Sequence, residues 1–185
     1  MQRGGFDAVI GNPPYVRIQT LKEWAPDEVI YYKKKFIAAG KGNYDIYVIF
    51  VEKGLSLLNK NGLFGYILPH KFFNSQYGEP LRSLITSGKN LKEIVFFGDQ
   101  QIFDNATTYT CLLFLEKRSR EDFIFIKVDN VQNWKSSGDS IVSIIPQHKV
   151  TNKDWNFISI ENEKIFKKVT LNYSLLGTIA NIFVG

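Results

Sequence analysis

Residues 6–18, FDAVIGNPPYVRI, run from an apolar strand signal directly into two consecutive prolines. This junction constrains the fold more than any other stretch. Proline has no backbone N–H to give to a sheet, so the strand predicted over 6–11 stops there. Each proline fixes its own φ near ~−65° and holds the residue before it extended, which restrains both Asn12 and Pro13. The segment is rigid by construction, and the ring of Tyr15 follows with no evident core to fill.

Strand and helix signals then alternate. Residues 20–42 are polar, with Lys33, Lys34 and Lys35 in a row, and read as loop with some helix. Tyr47, Phe50, Val51, Gly54, Leu57 and Leu58 recur at helical spacing, and Asn61-Gly62 stops the pattern. The run GLFGYILP at 62–69 is continuously apolar, as expected of a strand covered on both faces. GEPLRSLITSG at 78–88 predicts a helix with Pro80 near its start, Leu81, Leu84 and Ile85 on one face, and Gly88 at its end. Further strands are predicted over 91–98, 108–117 and 123–128. Too little chain separates these late strands for helical crossovers, so consecutive ones are expected to run antiparallel in a mixed α/β sheet. The polar, Ser/Asn-rich stretch 129–153 reads as linker, and ENEKIFKKV after it as helix.

Composition narrows the setting. Hydrophobic residues make up 44% and aromatics 15%, which suits a folded chain rather than a disordered one. A formal charge of +5 permits an anionic partner without demanding one. The single cysteine, Cys111, excludes an internal disulfide and a multi-cysteine zinc site, pointing to a reducing, cytoplasmic setting, and is expected to fill a strand interior. No apolar run approaches the ~18 residues of a membrane span.

In an open α/β sheet, ligands gather beyond the carboxyl ends of the strands, where Asn-Pro-Pro-Tyr falls. The tetrapeptide offers the Asn12 amide oxygen, the Pro13 carbonyl and the ring of Tyr15. Two acceptors beside a stacking face suit a planar ligand with an amino group. The lone pair of adenine N6 is delocalised into its ring, and accepting hydrogen bonds from both its protons favours a more nucleophilic nitrogen. A base within a duplex must first be flipped out.

DAVIGNPPYVR, followed by YDIYVIFVEKGLSLLNKNGLFGYILPHKFF, resembles the catalytic domain of the gamma-class, TaqI-like adenine-N6 DNA methyltransferases, above all those of type IIG restriction-modification enzymes. The resemblance covers roughly residues 4–128. It implies the C-terminal half of a Rossmann-like fold that uses S-adenosylmethionine and acts on double-stranded DNA. It further implies that Asn12, Pro13, Pro14 and Tyr15 form the catalytic motif, that Tyr15 and Phe103 stack on the flipped adenine, and that Phe50 lines the pocket for the cofactor's adenine. The helical wheel instead reads Phe50 as plain core. By the same resemblance, residues 1–130 belong to the catalytic domain, and 131–185 to a linker and the start of a target-recognition domain.

The family's glycine-rich cofactor turn lies upstream of Asn-Pro-Pro-Tyr, where this sequence has only five residues before Phe6. The chain therefore reads as a fragment, expected neither to methylate nor to cut alone, with a strand edge at 6–11 free to pair in a homodimer. His70, at a strand end, is a candidate site neighbour, whereas His148 falls in the predicted linker. Lys33 to Lys35 are candidate phosphate contacts or a solvated face. Two rival readings are a protein-glutamine methyltransferase, which uses the same tetrapeptide on another planar amide, and a non-catalytic nucleic-acid-binding remnant.

Overall fold

The computed structural model describes residues 4–103, 108–157, 160–174 and 176–181. Its centre is a six-stranded sheet in the order β1-β2-β4-β3-β5-β6. The strands are β1 (Phe6–Gly11), β2 (Leu58–Pro69), β3 (Leu91–Phe96), β4 (Thr110–Glu116), β5 (Asp122–Lys127) and β6 (Ile141–Pro146). β1, β2, β3 and β5 point one way, while β4 and β6 run against them. The fold is thus the expected mixed α/β sheet, and β3, β4, β5 and β6 alternate in direction as their short connections require. The parallel pairing of β5 with β3 was not foreseen.

Two crossovers build the helical layer. β1 leads to β2 through α1 (Ile18–Trp24), α2 (Pro26–Lys35) and α3 (Tyr47–Leu57), and β2 leads to β3 through α4 (Glu79–Ser87). Both step across the sheet in the same direction, and right-handed crossovers then put all these helices on one face. That face holds the core, with Phe64, Leu68, Cys111, Leu113, Leu115 and Ile94 buried. Cys111 fills a strand interior, as expected. α3 sits so close to β2 that a Cβ at Gly54 would come within 2.6 Å of the Phe64 ring.

Four expectations need correction. Residues 20–42 are mostly helical, in α1 and α2. α3 ends at Leu57 rather than at Asn61-Gly62, and β2 begins at once. Asn61 and Gly62 sit instead in a register shift, since Phe6 pairs with Leu58 but Ala8 with Leu63. The run 62–69 is a strand covered on one face only: Leu63 is 41% exposed, and on the same face Ile10 of β1, which pairs with Gly65, is 85% exposed.

The stretch 129–153 is not a linker in structure. Asn130 accepts a hydrogen bond from the Asn133 N–H and so caps α5 (Val131–Ser137), which ends at Gly138 in the left-handed region. α5 covers the second sheet face locally, where Val131 and Trp134 pack on Val95, Phe97 and Val128. β6 pairs with β5, and the Gln147 side chain, buried, donates to the Leu91 carbonyl at 2.6 Å. One compact unit runs through Trp155, and residues 156–185 form a second. In the second, α6 (Ile160–Asn172) realises the expected helix, and α7 (Leu176–Ile179) follows. Among the described residues, no helix is long and apolar enough to cross a membrane.

Candidate functional site

The carboxyl ends of β1, β2 and β3 and the start of β4 meet at one end of the sheet, around a cavity of about 550 Å³. Tyr15 from the exit of β1, Pro69, His70 and Lys71 from the exit of β2, and Thr108 and Tyr109 from the approach to β4 all line it. Arg17, Asp45, Asn74 and Ser75 complete the wall.

The prolines set this geometry. Pro13 is buried while Asn12 and Pro14 are exposed, so the extended segment carries the chain over the sheet end. Tyr15 then turns back, and its hydroxyl donates to the Ile67 carbonyl of β2 at 3.0 Å. Its ring meets the edge of Tyr47 at a centroid distance of 6.4 Å. Burial pushes the Tyr15 phenol up to about 12, with a smaller contribution from nearby Cys111, so it remains a neutral donor. The ring is only half-buried and is held at the cavity wall by its far end.

Asp45 joins the site through a tyrosine relay. The Tyr77 hydroxyl lies 3.3 Å from the Asp45 carboxylate and 3.0 Å from the Tyr47 hydroxyl. Desolvation raises the Tyr47 phenol well above its usual range. Arg17 and Lys71 form no ion pair among the described residues, leaving two cations at the cavity against the one carboxylate of Asp45.

The structure brings together Tyr15 and His70 among the residues singled out from sequence. Asn12 and Pro13 precede Tyr15 but do not line the cavity. Phe103 lies 37% exposed between β3 and β4, also off the cavity wall, and residues 104–107 beyond it fall outside the described residues. Phe50 is 40% exposed on α3, so the plain core position allowed by its wheel is excluded. Lys33, Lys34 and Lys35 form the exposed last turn of α2, and His148 is exposed in a short turn after β6. Sequence reasoning missed Arg17, Asp45, Lys71 and Tyr109. Asp45, just ahead of an amphipathic run, could have been noticed as a helix-start signal; Tyr109 carried none.

The strand order and the strand-end cavity define an α/β domain of the architecture found in S-adenosylmethionine-dependent methyltransferases. A putative class I S-adenosylmethionine-dependent methyltransferase from Listeria monocytogenes superposes with a TM-score of 0.55 at 15% identity, covering 75% of this chain and 41% of that one. The type IIG restriction endonuclease BpuSI superposes at 0.56 with 15% identity, over 77% of this chain and 19% of the other. These likenesses establish the fold. The family model for the Eco57I restriction-modification methylase matches residues 1–103, more than half of the chain, and the chain belongs to that family. The type II restriction enzyme and methyltransferase RM.Eco57I of Escherichia coli is 38% identical over 134 residues, which is 72% of this chain and 13% of that protein. The chain thus spans a small part of its relative's length.

Proposed function

We propose that this chain forms the base-binding part of a DNA adenine-N6 methyltransferase within a restriction-modification protein. The observation that carries the reading is Tyr15, tethered by its hydroxyl to β2 and presented at the cavity directly after the rigid Asn12-Pro13-Pro14 exit. The flipped adenine stacks on Tyr15. The Asn12 amide oxygen and the Pro13 carbonyl accept hydrogen bonds from the two N6 protons, which localises the lone pair on nitrogen. Phe103 supplies a second ring near the base. S-adenosylmethionine, when bound, would supply the methyl group, and the Asn12 and Pro13 acceptors would hold N6 in position to receive it. The described residues fit that cofactor in one respect, the exposed ring of Phe50, which is suited to its adenine.

Lys33 to Lys35, and Arg17 and Lys71, which are unpaired among the described residues, suit DNA phosphates, each contact weakening as salt rises. The unit 156–185 opens the target-recognition region, and a cytoplasmic location follows from action on DNA. In this chain taken by itself, the edge of β1 pairs two copies in a homodimer.

The test is transfer of labelled methyl from S-adenosylmethionine by the full protein that carries this chain. Label recovered as N6-methyladenine in a duplex, and lost in Asn12→Ala, supports the reading. Label appearing on glutamine of a peptide, with none on DNA, overturns it.

A further inference from the structure

His70 ties three strand ends together. It leaves β2, and its backbone N–H donates to the carbonyl of Tyr109, the residue before β4, at 3.2 Å. Its Nε2 lies 3.1 Å from the carbonyl of Gly98, two residues beyond β3. A carbonyl only accepts, so Nε2 carries the proton of this bond. Gly98 has φ +60°, in the left-handed region where a side chain is strained, so the turn that aims its carbonyl at His70 favours glycine. The imidazole also stacks on the Tyr109 ring at 14° and 6.4 Å, and meets Phe96 at 4.8 Å.

Gly98 and Tyr109 are the two ends of the connection from β3 to β4. One residue therefore holds both ends of the segment that carries Phe103: its side chain bonds the Gly98 carbonyl and stacks on the Tyr109 ring, and its backbone N–H bonds the Tyr109 carbonyl. Tyr109, though 46% exposed, has its backbone and its ring fixed by the same histidine. We propose that His70 is a positioning residue for base binding: it pins both ends of the β3–β4 connection and so sets Tyr109 as a further aromatic contact, beyond Tyr15 and Phe103, for the extruded nucleotide. This rests on the reading of the cavity as a site for a flipped base. Burial lowers the His70 pKa, which keeps the ring in the neutral form that donates through one nitrogen.

Three variants separate donor, ring and contact. His70→Gln keeps an amide donor at similar reach, His70→Phe keeps a ring without a donor, and Tyr109→Leu removes the contact. In the full protein, His70→Phe and Tyr109→Leu are expected to lower kcat on adenine-containing duplex roughly ten- to a hundredfold, with KM for S-adenosylmethionine unchanged. His70→Gln should recover most of the loss. An unchanged kcat in His70→Phe, or an equal loss in His70→Gln, overturns the proposal. Hydrogen exchange on this chain judges the pin apart from catalysis: amides at 98–103 and 108–110 should exchange at least severalfold faster in His70→Phe and at the wild-type rate in His70→Gln. Unchanged exchange in His70→Phe overturns the pin. A wild-type protein that methylates no adenine, yet shows the exchange pattern, overturns the base-binding reading and leaves the pin standing.

Discussion

Tyr15 has two separable parts, a ring at the cavity and a hydroxyl on the Ile67 carbonyl. Tyr15→Phe removes one half-buried hydrogen bond and should cost about 1 kcal/mol of stability in urea unfolding while leaving the stacking face in place. Tyr15→Ala removes the face as well. Fluorescence of 2-aminopurine at the target position should then show base capture weakened by the ~1–3 kcal/mol typical of one aromatic stack. Equal base capture by wild type and Tyr15→Ala would mean that the ring is only a wall. His70 makes a separate pH prediction. Burial depresses its pKa below 6.5, outweighing the bond to Gly98 that works the other way. Below pH 6.5 the unfolded chain therefore takes up a proton that the folded one resists, and stability falls as pH drops through that value toward the folded pKa. His70→Gln does not titrate, so its urea midpoint should fall less than that of wild type between pH 7.5 and 5.5. Parallel curves for the two would remove His70 as a source of acid sensitivity.

Arg82 on α4 is the element-scale counterpart. Its side chain is buried, and it donates to the carbonyls of Phe72, Ser75 and Asn152 at 2.5, 2.9 and 2.9 Å and reaches Asp154 at 3.2 Å. It joins the segment after β2, which forms part of the cavity wall, to the stretch that closes the compact unit. Arg82→Met keeps much of the packing but takes this donor from the Phe72 and Asn152 carbonyls, while Ser75 still accepts from the Gly78 N–H, so a loss of about 2–3 kcal/mol is expected in denaturant unfolding. A loss below about 0.5 kcal/mol, the scale of ordinary surface changes, would show that water satisfies them. This network also shows where sequence reading stops. β1, α3, α4 and the late strands were legible because their apolar periodicity is local. The order of 129–153 was not, because it depends on distant partners: Gln147 on Leu91, Arg82 on Asn152, and Trp134 on Phe97. The only local hints were Asn130 and Gly138, which flank seven residues with the chemistry of a cap and a left-handed stop. The site divides in the same way. Asn-Pro-Pro-Tyr announces itself, whereas Tyr109 joins the cavity only because β4 inserts antiparallel beside β2, pairing Pro69 with Thr110.

For the whole molecule, the asymmetry of the sheet is the governing fact. Helices cover one face, α5 covers part of the other, and β1 lies at the edge with Phe6 60% and Ile10 85% exposed. An edge strand with a row of unpaired N–H and C=O groups and an apolar flank is a template for another strand. Natural edges are blunted by charge or proline, yet within β1 the only charge is Asp7, and the prolines come after the strand has ended. Two chains pairing along β1 would cover both edges and bring Ile10 and Leu63 of each copy toward shared shelter. Light scattering should accordingly give about twice the 21.3 kDa of one chain, with the dimer fraction rising with concentration. Ile10→Lys places a charge on the bare face without touching the buried core, and should shift the equilibrium to monomer while leaving the urea midpoint of the monomer within about 0.5 kcal/mol of wild type. A wild-type chain that stays monomeric up to millimolar concentration would rule out this pairing and leave the β1 edge open to a different strand.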